Sequence, residues 1–411
     1  MIVKLARILM TIITIISSTI VKPLLVFCMI LVYLLQRGLT SAFPMGSLIV
    51  YTKAMSMEKI TVHNVRSYEL FSADIHPQTT LILGDNGTGK TTLLEAIYLA
   101  HRGTSFRGRD RDIIPHNNSR AEIKVELSSG ETRRLSITHT PDDKVVKEFI
   151  IADSKSARIS PSNRLPVVLF EPDELRLLTS SPQRRREFID GIIARLSPTY
   201  QTVLGRFQRT LLQRNELLKQ FDTMNSGAWE SHLFAWDIKL AELSATIIKA
   251  RRNFMTHCND YLSPIYSRLA GSSHSITARY VSSTEAEDEA LQQAILHRLE
   301  ASRQSDALRG FTSNGPHRDD IELFLDGHLA SETASRGEMR TIMLAFKLLE
   351  VQLQEHHSGQ KPLLLLDDVF SELDLSREQA LIEALKEYQT VITATDLRDE
   401  LKADASIIYL S

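Results

Sequence analysis

Thr79-Thr80-Leu81-Ile82-Leu83-Gly84-Asp85-Asn86-Gly87-Thr88-Gly89-Lys90-Thr91-Thr92 is the stretch on which the fold turns. Its first five residues are β-branched or apolar and read as a buried strand. They stop abruptly at Gly84, after which Leu93, Leu94, Ile97 and Ala100 recur at helical spacing. Strand, glycine loop, helix is the context in which the pattern G-x-x-x-x-G-K-[ST] carries chemistry. The glycines let successive backbone N–H groups turn inward around phosphate oxygens, and the helix adds the positive end of its dipole. Lys90 is placed to reach the β- and γ-phosphates of a nucleotide and to serve catalysis there, and the Thr91 hydroxyl to ligate Mg²⁺. The expected nucleotide-binding residues are therefore Gly84, Asp85, Asn86, Gly87, Thr88, Gly89, Lys90, Thr91 and Thr92.

The far end of the chain holds Lys361-Pro362-Leu363-Leu364-Leu365-Leu366-Asp367-Asp368. Four leucines predict a buried parallel strand, whose carboxyl end delivers two acids where such sheets bind ligands. Asp367 is expected to hold Mg²⁺, directly or through water, and Asp368 to position and deprotonate the attacking water. Just upstream, Ala334-Ser335-Arg336-Gly337-Glu338-Met339-Arg340 precedes a helix with Ile342, Phe346, Leu349 and Leu353 on one face. A small hydroxyl and free N–H groups at such a helix start suit a γ-phosphate; an ordinary helix cap is the competing reading. Two γ-phosphate sites on one chain point to a head-to-tail pair, the Ser335 segment of one copy closing over the nucleotide of the other.

Between these ends the chain changes character. Ile60–Arg66 alternates as a half-buried strand, and short strands are expected at Ala121–Leu127, Leu135–Thr138 and Val167–Phe170. From about Pro172, Gly and Pro thin out and long amphipathic stretches, Tyr200–Gln220 and Ala228–Leu262, take over. Strand signals return at Ser275–Val281 and Ile321–Leu325, before the turn Asp326-Gly327. The expected division is an ATPase body over residues 57–172 and 311–411, split by a mostly helical lobe over 173–310.

Composition narrows the class. The 411 residues are 43% hydrophobic and 24% charged, and two cysteines exclude a disulfide framework or a four-cysteine zinc site. The formal net charge of −2 hides an asymmetry, because residues 1–56 contain five basic side chains and no acid, leaving a net of −7 on the remainder. Bulk charge therefore does not advertise nucleic-acid binding, and local patches must carry it. The candidates are Arg102, Arg107, Arg109 and Arg111, with Arg184, Arg185 and Arg186. Asp110, Asp112 and Glu187 dilute both groups, and pairing with acids inside the lobe is the alternative for Arg185 and Arg186. Ile8–Leu35 is apolar enough to suggest a membrane segment or signal, but Lys22-Pro23 divides it into halves each too short to span a bilayer. Met57 opens a clean amphipathic strand, so residues 1–56 are expected to be a dispensable leader or an upstream translation start, and a membrane partner is not expected.

The order of glycine loop, long insertion, S-R-G-E, L-L-L-L-D-D and Ser371-Glu372-Leu373-Asp374 resembles the ABC-type ATPases, in which the last piece is the D-loop. Over residues 57–411 the chain resembles the RecF family of bacterial recombination mediators. Five further motifs carry that resemblance: Asn64-Val65-Arg66-Ser67-Tyr68, Ser105-Phe106-Arg107, Pro182 through Asp190 (P-Q-R-R-R-E-F-I-D), Gln213-Arg214-Asn215, and Gly315-Pro316-His317-Arg318-Asp319-Asp320. The resemblance implies an α/β fold, an ABC-type P-loop ATPase head of mixed sheet with flanking helices and an antiparallel strand layer, carrying an inserted helical lobe. It implies ATP and Mg²⁺ as cofactors, weak DNA-dependent ATP hydrolysis without strand cleavage, and a cytoplasmic role in DNA repair, replication and the SOS response. It implies a homodimer formed on ATP at gapped DNA, single-stranded beside duplex, that helps RecO and RecR load recombinase. Ser335, Gly337, Glu338 and Asp374 would then meet nucleotide across the dimer.

This sequence departs from the wider pattern at Glu338, where Gln is usual, at Asp368, where most ABC enzymes carry Glu, and near Thr395, where transporters carry a switch His. A membrane-tethered ATPase of transport or defence is the rival reading. The missing L-S-G-G-Q signature and switch His count against it. A long-armed cohesive factor is excluded by the length of the insertion.

Overall fold

Most of the parallel strands of this protein are buried along nearly their whole length, and they show little polar alternation because both of their faces are covered. The computed structural model describes residues 56–222, 225–395 and 405–410. The apolar stretch Ile8–Leu35, and with it the leader and membrane readings of residues 1–56, lies outside them.

Along the chain, β1 (Met57–Val65), β2 (Tyr68–Asp74) and β3 (Thr79–Leu83) lead through the glycine loop into α1 (Lys90–Arg102). Then come β4 (Arg120–Leu127), β5 (Thr132–His139), β6 (Val145–Ile151), β7 (Ser154–Ser156) and β8 (Val167–Phe170). Helices α2 (Pro182–Leu196), α3 (Pro198–Leu218) and α4 (Ser226–Ala270) follow, then β9 (Ile276–Val281), α5 (Leu291–Ala301) and α6 (Arg303–Arg309). The chain continues through β10 (Asp320–Leu325), β11 (His328–Leu329), α7 (Arg336–Ser358), β12 (Leu363–Asp367), α8 (Leu375–Leu385), β13 (Thr390–Ala394) and β14 (Ser406–Tyr409).

The antiparallel strand layer expected beside the main sheet is present, and the main sheet itself is parallel throughout. Six antiparallel strands run in the order β2-β1-β4-β5-β6-β7, and five parallel strands in the order β14-β3-β13-β12-β8. A small antiparallel sheet, β11-β10-β9, belongs to the helical side. The parallel sheet divides two cores residue by residue. Leu364 and Leu366, like Leu81, Val168 and Phe170, point into a core shared with α2, α4 and α7. Leu363 and Leu365, like Ile82, Val167 and Leu169, point into a second core shared with α1 and the antiparallel sheet. Alternating side chains thus serve opposite faces, as the two-residue strand repeat requires.

The lobe is organised by buried charge rather than by apolar packing alone. Arg214 of α3 is fully buried, and its guanidinium donates to Asp237 of α4 (2.7 Å), Asp306 of α6 (3.0 Å) and the Thr312 hydroxyl (2.8 Å). Asn215 accepts from both the backbone and the hydroxyl of Thr312. Asp190, closing the P-Q-R-R-R-E-F-I-D motif, takes both arms of Arg251 at 2.8 Å and the Tyr200 hydroxyl at 2.7 Å. Arg251 also donates to the Pro316 carbonyl, and Asp319 accepts from Tyr280, Ser282 and the Ser283 N–H. His317 lies against Phe207, and burial lowers its pKa to about 4, so the ring is neutral and structural. Three sequence motifs that read as isolated signatures are therefore one connected network at the base of the lobe. Among the described residues no helix is long and apolar enough to cross a membrane.

Arg214→Met should destabilise the chain by about 3–5 kcal/mol, because it removes one partner of a buried ionic cluster and leaves two carboxylates short of their guanidinium. Denaturant unfolding measures this; a midpoint equal to that of the unsubstituted chain would show that the network does not hold the lobe.

Candidate nucleotide site

The phosphate loop leaves β3 at a point of close backbone approach. A Cβ on Gly84 would sit 2.6 Å from the Leu410 carbonyl oxygen, so no larger residue fits between β3 and the end of β14. Gly89 adopts φ +98, and a Cβ there would meet the Tyr68 ring at 2.8 Å. Both positions demand glycine, one for space and one for conformation as well. Thr88 closes the turn by donating to the Asp85 carbonyl at 2.9 Å. The Lys90 ammonium is buried inside the loop, donating to the carbonyls of Gly84 (2.6 Å) and Asp85 (2.8 Å).

Residues far apart in sequence converge beside it. Thr91 Oγ1 donates to Asp367 Oδ1 at 2.9 Å, joining the start of α1 to the end of β12. The strand between β3 and β12 is β13, and its Thr393 hydroxyl donates to the same carboxylate oxygen at 2.8 Å. Asp368 then takes a left-handed backbone, φ 48, while its N–H donates to the Thr393 carbonyl and hydroxyl. That conformation is tolerated by Asp better than by most residues, and it breaks the strand so that the two acids do not continue one alternation. Thr393 was not among the site residues expected from sequence; a threonine inside the apolar strand Val391-Ile392-Thr393-Ala394 was its only signal. Glu171, just past β8, was also missed. Burial, followed by the charges of Glu174 and Asp367, pushes its carboxyl up to about 7.

Two of the sequence motifs brace the loop from behind. Glu95 is almost wholly buried on α1 and accepts from Arg66 at 2.5 and 2.8 Å and from the Ser105 hydroxyl. Pairing with Glu95 raises the Arg66 pKa. Arg66, at φ 48, is further tied by its N–H to the Ile113 carbonyl. Tyr68 follows at once, with its hydroxyl donating to Thr88 O at 3.3 Å, and burial pushes its phenol up to about 12. Phe106, beside Ser105, stacks edge-on against Tyr98 of α1. A lone acid on the apolar face of α1 was the available sign of this hub.

The Ser335 segment forms a second cluster. Ser335 and Glu338 make a reciprocal capping box at the start of α7: the Ser335 hydroxyl accepts from the Glu338 N–H, and the Glu338 carboxylate from the Ser335 N–H at 2.7 Å. Those hydrogen bonds hold the Glu338 carboxyl below its usual range. Asp374 caps α8 and pairs with Arg377. Arg377 in turn donates to Thr341 Oγ1 at 2.6 Å and lies 3.3 Å from where a Cβ on Gly337 would be. Arg377, which sequence reading did not single out, thus joins Asp374 to the start of α7 beside Gly337, where Ser335 and Glu338 form the cap. No hydrogen bond or ion pair among the described residues joins this cluster to the phosphate loop of the same chain.

The seven arginines named from sequence divide. Arg107, Arg109, Arg111 and Arg184 are exposed, Arg111 standing 3.6 Å from Asp143. Arg185 is held by both Asp320 oxygens (2.9 and 2.6 Å), and Arg186 donates to the Asp319 carbonyl. Arg185 is thus neutralised by a carboxylate while Arg186 is held by a neutral carbonyl, so both are pinned at the lobe junction and Arg184 alone of the three is exposed. Arg102 is half-buried at the far end of α1.

The sequence profile described as RecF/RecN/SMC N terminal domain matches residues 56–408. A DNA replication and repair protein RecF from Exiguobacterium sp. (strain ATCC BAA-1283 / AT1b) is 34% identical over 352 residues, covering 84% of this chain and 93% of that protein. The chain belongs to the RecF family. A second RecF, from Alkaliphilus oremlandii (strain OhILAs), is 33% identical over 370 residues, covering 87% of this chain and 99% of its own. Among solved structures, that of the recombination mediator protein RecF-ATP in the RecFOR pathway superposes with a TM-score of 0.75 at 28% identity, over 84% of this chain and 93% of that one. The RecF-ATPrS structure gives 0.76 at 27% identity, over 87% and 96%. The fold is therefore that of RecF, an ABC-type ATPase head, and the motifs that brace the loop and the lobe lie inside the matched region.

Gly89→Ala should lower nucleotide affinity about tenfold or more, since it forces φ strain and a clash with Tyr68 at once. Titration with a fluorescent ATP analogue reads the loss. Adding Tyr68→Ala should recover part of it; no recovery would place the effect elsewhere than in this contact.

Proposed function

We propose that this chain is an ATP-binding and ATP-hydrolysing protein of DNA replication and repair that closes as a homodimer on DNA. The observation that carries the reading is the meeting of Thr91, Asp367 and Thr393 beside a loop with Lys90 at its centre. Hard oxygen donors in contact, next to a glycine cradle, suit Mg²⁺ with a nucleoside triphosphate. When bound, Mg²⁺ would be held by Thr91 and Asp367 and would neutralise charge on the phosphates. Lys90 exchanges its loop carbonyls for phosphate oxygens. Asp368, turned out of the strand, orients the attacking water and accepts its proton. A carboxylate one methylene shorter than Glu is consistent with slow turnover.

The second cluster supplies what one chain lacks. Ser335, Gly337, Glu338 and Asp374 face nucleotide held by a second copy, and Arg377 ties them so that α7 and α8 respond together. The Ser335 N–H holds the Glu338 carboxylate in the capping box, and the nearby Arg377 offsets part of its charge toward an approaching phosphate. Residues 57–172 and the part of 311–411 beyond β11 form the ATPase body; β10 and β11 pair with β9 and so go with the lobe of 173–310. Arg107, Arg109, Arg111 and Arg184 contact DNA phosphates, binding is strongest beside single-strand gaps, and RecO and RecR are the partners in loading recombinase, as the pathway named for the RecF-ATP structure suggests. The cytoplasm is the compartment such a role requires.

Lys90→Arg should reduce hydrolysis by about 100-fold or more while sparing nucleotide binding in part, because a forked guanidinium cannot occupy the position of a single ammonium. Full turnover by that variant would remove the assigned site. Ser335→Arg should abolish ATP-dependent dimerisation in light scattering and, with it, ATP-stimulated binding to gapped duplex, leaving the monomer folded. A dimer that still forms with ATP would refute closure in trans.

A further inference from the structure

An open cavity of about 590 Å³ lies at the opposite end of α1 from the phosphate loop. The thirteen residues of that helix put Arg102 roughly 18 Å from Lys90 along the axis, so this is a separate place. Every layer contributes a wall: Arg133 from β5, Arg164 from the loop before β8, Arg195 from the last turn of α2, and Gln354 and His357 from the last turns of α7. Four arginines line it against one acid, Glu131.

Two of the four are already matched. Arg133 pairs with Glu131 at 2.8 Å and donates to the Asn163 carbonyl at 2.7 Å, and Arg195 is bound to Glu350. The other two are not. Arg164 reaches only the neutral Gln201 amide oxygen, at 2.9 Å, and its Nε is buried without a partner. The Arg102 guanidinium makes no hydrogen bond or ion pair among the described residues. Burial pulls the Arg102 pKa below its ordinary value; Arg195 and Arg164 add to the effect, while Tyr98 and the Glu350 carboxylate, already bound to Arg195, oppose it. Half-buried guanidinium charge without a carboxylate is costly unless an anion completes it.

We infer that this cavity is a second ligand site, one that takes a small phosphorylated anion between Arg102 and Arg164. Its volume falls within the range of small-molecule sites. Guanidinium forks match phosphate oxygens two at a time, which lysines do not. The arginines converge across a concavity instead of standing in a row along an exposed ridge, which favours a small anion over a nucleic-acid backbone. The same two helices that begin at the phosphate loop and at Ser335, α1 and α7, end at this cavity.

The test uses the full chain with its phosphate loop saturated by a non-hydrolysable ATP analogue, titrated calorimetrically with pyrophosphate and, separately, with guanosine monophosphate. One further site per chain is expected for at least one probe. Pyrophosphate alone would identify a free inorganic anion, and guanosine monophosphate alone a nucleoside phosphate. The double variant Arg102→Gln, Arg164→Gln should weaken that binding at least tenfold. If the double variant does not fold, Arg102→Lys keeps the charge but loses the fork, and should weaken the same binding. Absence of binding to the intact chain, or equal binding by the variants, overturns the inference. So does a loss confined to a single-stranded oligonucleotide, which would make the cavity part of a nucleic-acid surface.

Discussion

Burying both faces of the parallel strands β3, β8, β12 and β13 is the constraint from which the rest of the molecule follows. Odd and even residues of β3, β8 and β12 enter different cores, so each face needs its own cover. One cover is α1 with the antiparallel sheet; the other is α7 with the lobe helices α2 and α4. A parallel sheet covered this way leaves only its strand ends free to carry chemistry. The carboxyl ends of β3, β12 and β13 are adjacent in register, and Lys90, Thr91, Asp367, Asp368 and Thr393 all stand there.

Around that frame, buried charge performs positioning. Glu95 draws Arg66 and Ser105 together behind the loop, and the left-handed turn at Arg66 delivers Tyr68 onto Gly89. Arg377 does the same for the Ser335 segment and Asp374. In the lobe Arg214 and Arg251 join helices to the segment Thr312–Asp320. Such groups are expensive to leave unpaired, which gives each cluster one arrangement instead of several.

The legible part of the molecule was local. The glycine loop, the L-L-L-L-D-D strand and the long helices could be read because period and turn chemistry are properties of neighbouring residues. Glu95 could not be read as a hub, since an acid on a helix says nothing of which distant arginine will meet it. Arg185 and Arg186 looked like half of a basic patch; the Asp320 carboxylate and the Asp319 backbone carbonyl, more than a hundred residues later, hold them. Arg102 looked like its exposed neighbours Arg107 and Arg109, yet helix geometry turns it into a cavity.

By itself, the sequence determined the layer class, the phosphate loop and the identity of the acids at the end of β12, because hydrophobic period and glycine placement act within a few residues. Only the tertiary structure decided that the main sheet is parallel throughout, that Thr393 completes the Thr91–Asp367 contact, and which arginines remain unmatched. Those outcomes depend on strand order and on desolvation, and neither exists until distant segments pack.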